Sequence, residues 1–101
     1  MGISIALVDS KSDVIDRVDD EKNFLHKLLP PVDEDSQSLL AKIDWYGDTY
    51  FNYLQMKGFL REWDGMTARA KTREERDLVN AVRELALRCQ RDQEVLRFIG
   101  D

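Results

Sequence analysis

The stretch from Thr72 to Phe98 constrains this chain more than any other. Leu78, Val79, Val82, Leu85, Ala86, Cys89 and Leu96 recur at helical spacing, so one apolar stripe predicts an amphipathic helix over about 72–97. Thr72 is placed to accept the first free amide, with Glu75 reaching back to the Thr72 amide as in a capping box. Glu74, Glu75 and Asp77 lie at the positive end of the helix dipole, and Arg88, Arg91 and Arg97 at the negative end. A helix with one greasy side must bury it, and the preceding residues have to supply the cover.

A chain of 101 residues has surface enough to bury for one domain, and a second would leave neither half a sufficient core. Residues 1–101 are therefore expected to form a single globular domain. With 35% charged and 43% hydrophobic residues the chain is too apolar for disorder, and no run approaches the ~20 apolar residues that cross a bilayer. No basic segment precedes an apolar one near Met1, so a secretory leader is not expected and a cytoplasmic location is.

Ile3 to Val8 and Val14 to Val18 flank the polar turn Asp9-Ser10-Lys11-Ser12-Asp13, which predicts a β-hairpin. On the second strand either Val14 and Val18 or Ile15 faces the core. Asp19-Asp20-Glu21 opens a short helix with Phe24, Leu25, Leu28 and Leu29 on one side, and Pro30-Pro31 ends it. Leu39 to Ile43 reads as a strand or one helical turn. Asn52 with Gln55 makes a second capping box, from which Met56, Phe59, Leu60, Trp63 and Thr67 run along a helix to about Ala70. The fold class is thus α+β: an N-terminal hairpin packed on about three helices, the last of them the longest. Gly100 suits a helix C-cap, or residues 97–99 extend as a small edge strand.

Residues 1–48 carry eleven acidic side chains against five basic ones, while 49–101 carry nine against ten. The acidic excess behind the net charge of -5 lies in the first half. Such a surface repels phosphate backbones and attracts basic partners, so a cationic protein is expected and direct nucleic-acid or membrane binding is not.

Chemistry finds little material. His26 is the lone histidine, with no second histidine or cysteine near it in sequence, and Cys89 sits on the apolar stripe. The Asp33-Glu34-Asp35 loop has Ser38 where a calcium loop needs glycine, and the window from Asp9 has Lys11 at a ligand position. Enzymatic activity, metals and cofactors are not expected.

Asp44-Trp45-Tyr46-Gly47-Asp48-Thr49-Tyr50-Phe51-Asn52-Tyr53 is half aromatic. Tryptophan and tyrosine bring large contact area at low entropic cost, so Asp44, Trp45, Tyr46, Asp48, Tyr50 and Tyr53 are the candidate partner-binding residues, in a loop turned by a positive-φ Gly47. Tyr46-Gly47-Asp48-Thr49, Phe51-Asn52, Leu54-Gln55-Met56 and the ending Phe98-Ile99-Gly100-Asp101 resemble a pattern in short bacterial cytosolic proteins. The resemblance implies a bacterial cytosolic origin and brings no activity with it. The function expected from the residues is a small acidic protein-binding module, an immunity-type inhibitor of a basic toxin. The alternative is an adaptor subunit that self-associates through the C-terminal helix, whose Leu87, Val95, Phe98 and Ile99 lie off the main stripe. Monomer and homodimer are both open.

Overall fold

The computed structural model describes residues 2–33 and 35–100, so Glu34 of the expected acidic loop and Asp101 of the resemblance fall outside it. In chain order come strands β1 (Ser4–Val8) and β2 (Val14–Asp19), helix α1 (Leu25–Leu28) and a 3₁₀ turn at Leu40–Lys42. Strand β3 (Asp48–Asn52) follows, then a 3₁₀ turn at Tyr53–Gln55, helices α2 (Met56–Thr67) and α3 (Arg73–Asp92), and strand β4 (Val95–Ile99). The fold is α+β and its C-terminal helix is the longest, as the periodicity predicts. The sheet has four strands in the order β2-β1-β4-β3, each neighbouring pair antiparallel.

Two of those strands fall where the sequence suggested a helix end and a loop. The C-terminal helix stops at Asp92, because Gln93 takes a left-handed conformation (φ 56°, ψ 52°). The Glu94 amide then donates back to the Cys89 carbonyl at 3.0 Å, closing a Schellman-type cap. Beyond it Val95-Leu96-Arg97-Phe98-Ile99 alternates with period two and consists of β-branched, aromatic and long side chains, which suit a pleated surface. Leu96, which had prolonged the helical stripe, and Phe98 face the core with 0% exposure, while Val95 and Ile99 turn to the opposite face. Of the apolar residues that suggested a second greasy side on the helix, Val95, Phe98 and Ile99 are therefore strand residues, and Leu87 alone lies in α3. β4 also lies in the middle of the sheet rather than at its edge.

Gly100 does not cap a helix. Its amide donates to the Gly47 carbonyl at 2.7 Å, and a Cβ there would stand 2.6 Å from the Trp45 backbone, so the chain end lies flat on the turn before β3. No described glycine has positive φ. Gly47 is small for another reason: a Cβ would meet the Asp44 carboxylate at 2.8 Å.

The helices cover one face of the sheet. Ile5, Leu7, Phe51, Leu96 and Phe98 point into a core closed by Met56, Phe59 and Trp63 of α2 and by Val79, Val82, Leu85, Ala86 and Cys89 of α3. Phe59 stacks on Trp63 at 5.4 Å, and the Trp63 indole donates to the Val79 carbonyl at 3.0 Å, tying the two helices together. Cys89 is 0% exposed, and burial pushes its thiol up to about 11, which leaves it a core hydrophobe. On β2 the core-facing residue is Val18, half-buried; a register shift between Leu7 and Val8 leaves Val14 and Ile15 both exposed.

Carboxylates fix the short segments. Asp20, 2% exposed, accepts from the Phe24 and Leu25 amides at 2.8 Å each and so holds the start of α1. Glu62 of α2 accepts from the Leu39 amide at 2.9 Å and from the Ser38 hydroxyl, capping the 3₁₀ turn from across the fold. At α3 the Thr72 hydroxyl takes the Glu75 amide as expected. The Glu75 carboxylate accepts from that hydroxyl at 3.1 Å instead of reaching the Thr72 amide, and is buried near Lys27 at 3.6 Å. α2 ends at Thr67, three residues short of the expected Ala70.

Candidate functional site

Among the described residues no helix or strand is laid on the face of the sheet away from the helices. Strand register puts three rows across it: Arg17, Ala6, Arg97 and Tyr50; Asp19, Ser4, Ile99 and Asp48; and Val14, Val8, Val95 and Asn52. Side chains alternate between faces along a strand, so Tyr50 stands on this open side at 57% exposure while its neighbour Phe51, at 2%, is core. Arg97 reaches across to β3, where its Nη2 donates to Asp48 and its guanidinium lies 5.5 Å from the centre of the Tyr50 ring. Its Nε is buried without a hydrogen-bond partner, so Asp48 and Tyr50, rather than full satisfaction of the guanidinium, set where the side chain lies. On the other side Arg17 and Ser4 both bond Asp19, at 2.7 and 2.6 Å. The Ser4 hydroxyl first and Arg17 second hold the Asp19 carboxyl below its ordinary range.

The six residues singled out from the sequence divide into two sets. Tyr46, at 86% exposure, and Tyr50, at 57%, project into solvent. Asp44 and Asp48 are exposed beside them, Asp44 bracing the turn by accepting the Tyr46 amide at 2.9 Å and donating its own amide to the Thr49 hydroxyl at 2.9 Å. Trp45 and Tyr53 turn the other way and are half-buried against the core. The Trp45 ring meets the His26 ring edge-on at 5.0 Å, which gives the lone histidine a packing partner on the protein surface. The expected loop is thus a turn followed by an edge strand, and the strand sorts its aromatics between two faces.

Leu54, 74% exposed in the turn directly after β3, is not among the six. Its signal was available, since it falls outside the apolar stripe of α2 that Met56, Phe59 and Trp63 define. Between residues 43 and 56 the sequence has Asp44 and Asp48 and no lysine or arginine.

Among the described residues no group of three His, Cys, Asp or Glu side chains is placed to hold a metal ion, and no helix is long and apolar enough to cross a membrane. No family model, no curated protein and no solved structure matches this chain.

Proposed function

We propose that this chain is a small acidic protein-binding module for a basic protein, in the finer reading an immunity-type inhibitor that neutralises a cationic toxin. One observation carries the reading: Tyr46 and Tyr50, the two exposed tyrosines, stand beside Asp44 and Asp48 on a stretch that has no cation of its own. Exposed aromatic area is unfavourable in water and is recovered when a partner covers it, and tyrosine gives that area with a polar handle. The carboxylates and the net charge of -5 add steering toward a cationic surface.

The test uses the double variant Tyr46→Ala/Tyr50→Ala. Both side chains are largely outside the core, so its far-UV spectrum and melting are expected to stay near those of the parent. A basic protein recovered by the parent from native lysate and identified by mass spectrometry should be lost by the variant and weakened by added salt. Retention of that partner by the folded variant would remove the site, and a partner that is acidic or a nucleic acid would remove the function.

A further inference from the structure

The two edges of the sheet are not alike. At β2 the Asp20 amide donates to the Ile3 carbonyl at 3.1 Å, which makes 3 and 20 a bonded pair and turns the backbone of Arg17 and Asp19 outward. That edge is poorly suited to pairing. The outward amide of Arg17 is taken by the Asp16 carboxylate at 2.8 Å, and the strand is bulged opposite Leu7 and Val8. At β3 the bond from Gly100 to Gly47 makes 47 and 100 the bonded pair, so Thr49 and Phe51 face β4 while Asp48, Tyr50 and Asn52 turn their backbone groups outward. Gln55 takes the Asn52 amide at 2.9 Å. Among the described residues the amides and carbonyls of Asp48 and Tyr50 have no partner and face out along a strand with no bulge.

We infer that the β3 edge takes up an extended, basic segment of the partner as a fifth strand of the sheet, a mode that rests on the protein-binding reading above. Backbone pairing would come from Asp48 and Tyr50, and side-chain selection from what flanks them. Three of the large exposed hydrophobics, Tyr46, Tyr50 and Leu54, fall in β3 and just beside its two ends, at steps of four residues. The chemistry of the incoming side chain is displayed by the protein itself. Arg97, the neighbour of Tyr50 on the paired side, lies over the ring with one nitrogen on Asp48, and an arginine or lysine arriving on the unpaired side would meet the same ring beside the Asp44 and Asp48 carboxylates. A second copy of this chain is the poorer occupant, since pairing β3 with itself would line up acidic turns with no cation between 43 and 56 to separate them.

The probe is a phage-displayed library of random dodecapeptides panned on the full chain, with the enriched peptides synthesised and amide exchange followed by NMR. Enriched peptides are expected to alternate Lys or Arg with apolar residues. They should slow exchange at Asp48 and Tyr50 by about tenfold or more while leaving Arg17 and Asp19 unchanged. Asp48→Pro, which removes an outward amide and none of the amides bonded to β4, should weaken binding well beyond Asp48→Ala. Peptides that bind through Tyr46 and Tyr50 without protecting those amides would overturn strand addition and leave the acidic aromatic surface standing. Absence of any enriched peptide, or equal binding by the Pro and Ala variants, would overturn it as well. Protection that appears in the free protein as its concentration rises would assign the edge to a second copy instead.

Discussion

Tyr50 and Phe51 are adjacent in β3, chemically close, and on opposite sides of the sheet. Phe51 meets Phe59 at 5.4 Å and Phe98 at 5.8 Å within the hydrophobic core. Tyr50 has an arginine over its ring and is 57% exposed. A pleated strand puts successive residues into different solvents, so the composition of the aromatic stretch could not say which residues hold the fold together and which are free to bind. The contrast can be broken by experiment, and the largest effect lies on the covered side. Phe51→Ala empties a packed site and should lower unfolding stability by about 3–5 kcal/mol in urea titration. A loss under about 1 kcal/mol would mean that β3 is not docked on the helices.

The next effect tests the joint between the faces. Gly100→Ala places a methyl 2.6 Å from the backbone of Trp45 and Gly47, which has no side chain to swing aside. A cost of about 1–3 kcal/mol is expected, with shifted NMR resonances in the 44–50 turn. An unperturbed variant would show that the chain end does not lie on that turn.

Carboxylates on the two sides respond to pH with opposite sign. Asp19, on the open face, is held below its ordinary range by Ser4 and Arg17, so its contribution is present above the unfolded value and lost as pH falls through the folded one. Glu94, buried at the junction of α3 and β4, is pushed up, by desolvation first and Asp92 second. The folded state then binds the Glu94 proton more tightly than the unfolded state, and this group adds stability as pH falls through its folded value. Glu94→Gln should therefore raise the melting temperature near pH 7, by less than either loss above changes it, and the gain should vanish below about pH 4. A gain that persists there would assign the effect to packing.

The helical half of this fold was legible because a stripe such as Val79, Val82, Ala86 and Cys89 has one interpretation, and the Asn52 and Gln55 capping box forms as the residues suggest, with bonds of 3.1 and 2.9 Å. The sheet was half legible. Val95 to Ile99 follows a long helix without a proline or glycine to mark the break, and the break is made by Gln93 in a conformation its side chain does not announce. The acidic and aromatic identity of the site was legible, whereas its sorting was not. Trp45 and Tyr53 came to lie half-buried against the core in a fold where β3 pairs with a strand 43 or more residues away in sequence, a contact that no local pattern encodes.

The smallest effect is the one that bears most on the site. Tyr50→Ala removes a ring that is 57% exposed and lies 5.5 Å from the Arg97 guanidinium. Exposed cation–π contacts are worth ~0.5–1 kcal/mol, and here the Asp48 bond keeps Arg97 in place when the ring is gone. Unfolding stability should therefore fall by about 0.5 kcal/mol, a few per cent of what a domain of this size has at most and several-fold less than the loss at Phe51. A residue that is nearly silent in folding but decisive in binding is what a contact surface requires. A loss approaching that of Phe51→Ala would show that the two faces do not differ energetically, and Tyr50 would then belong to the core with its neighbour.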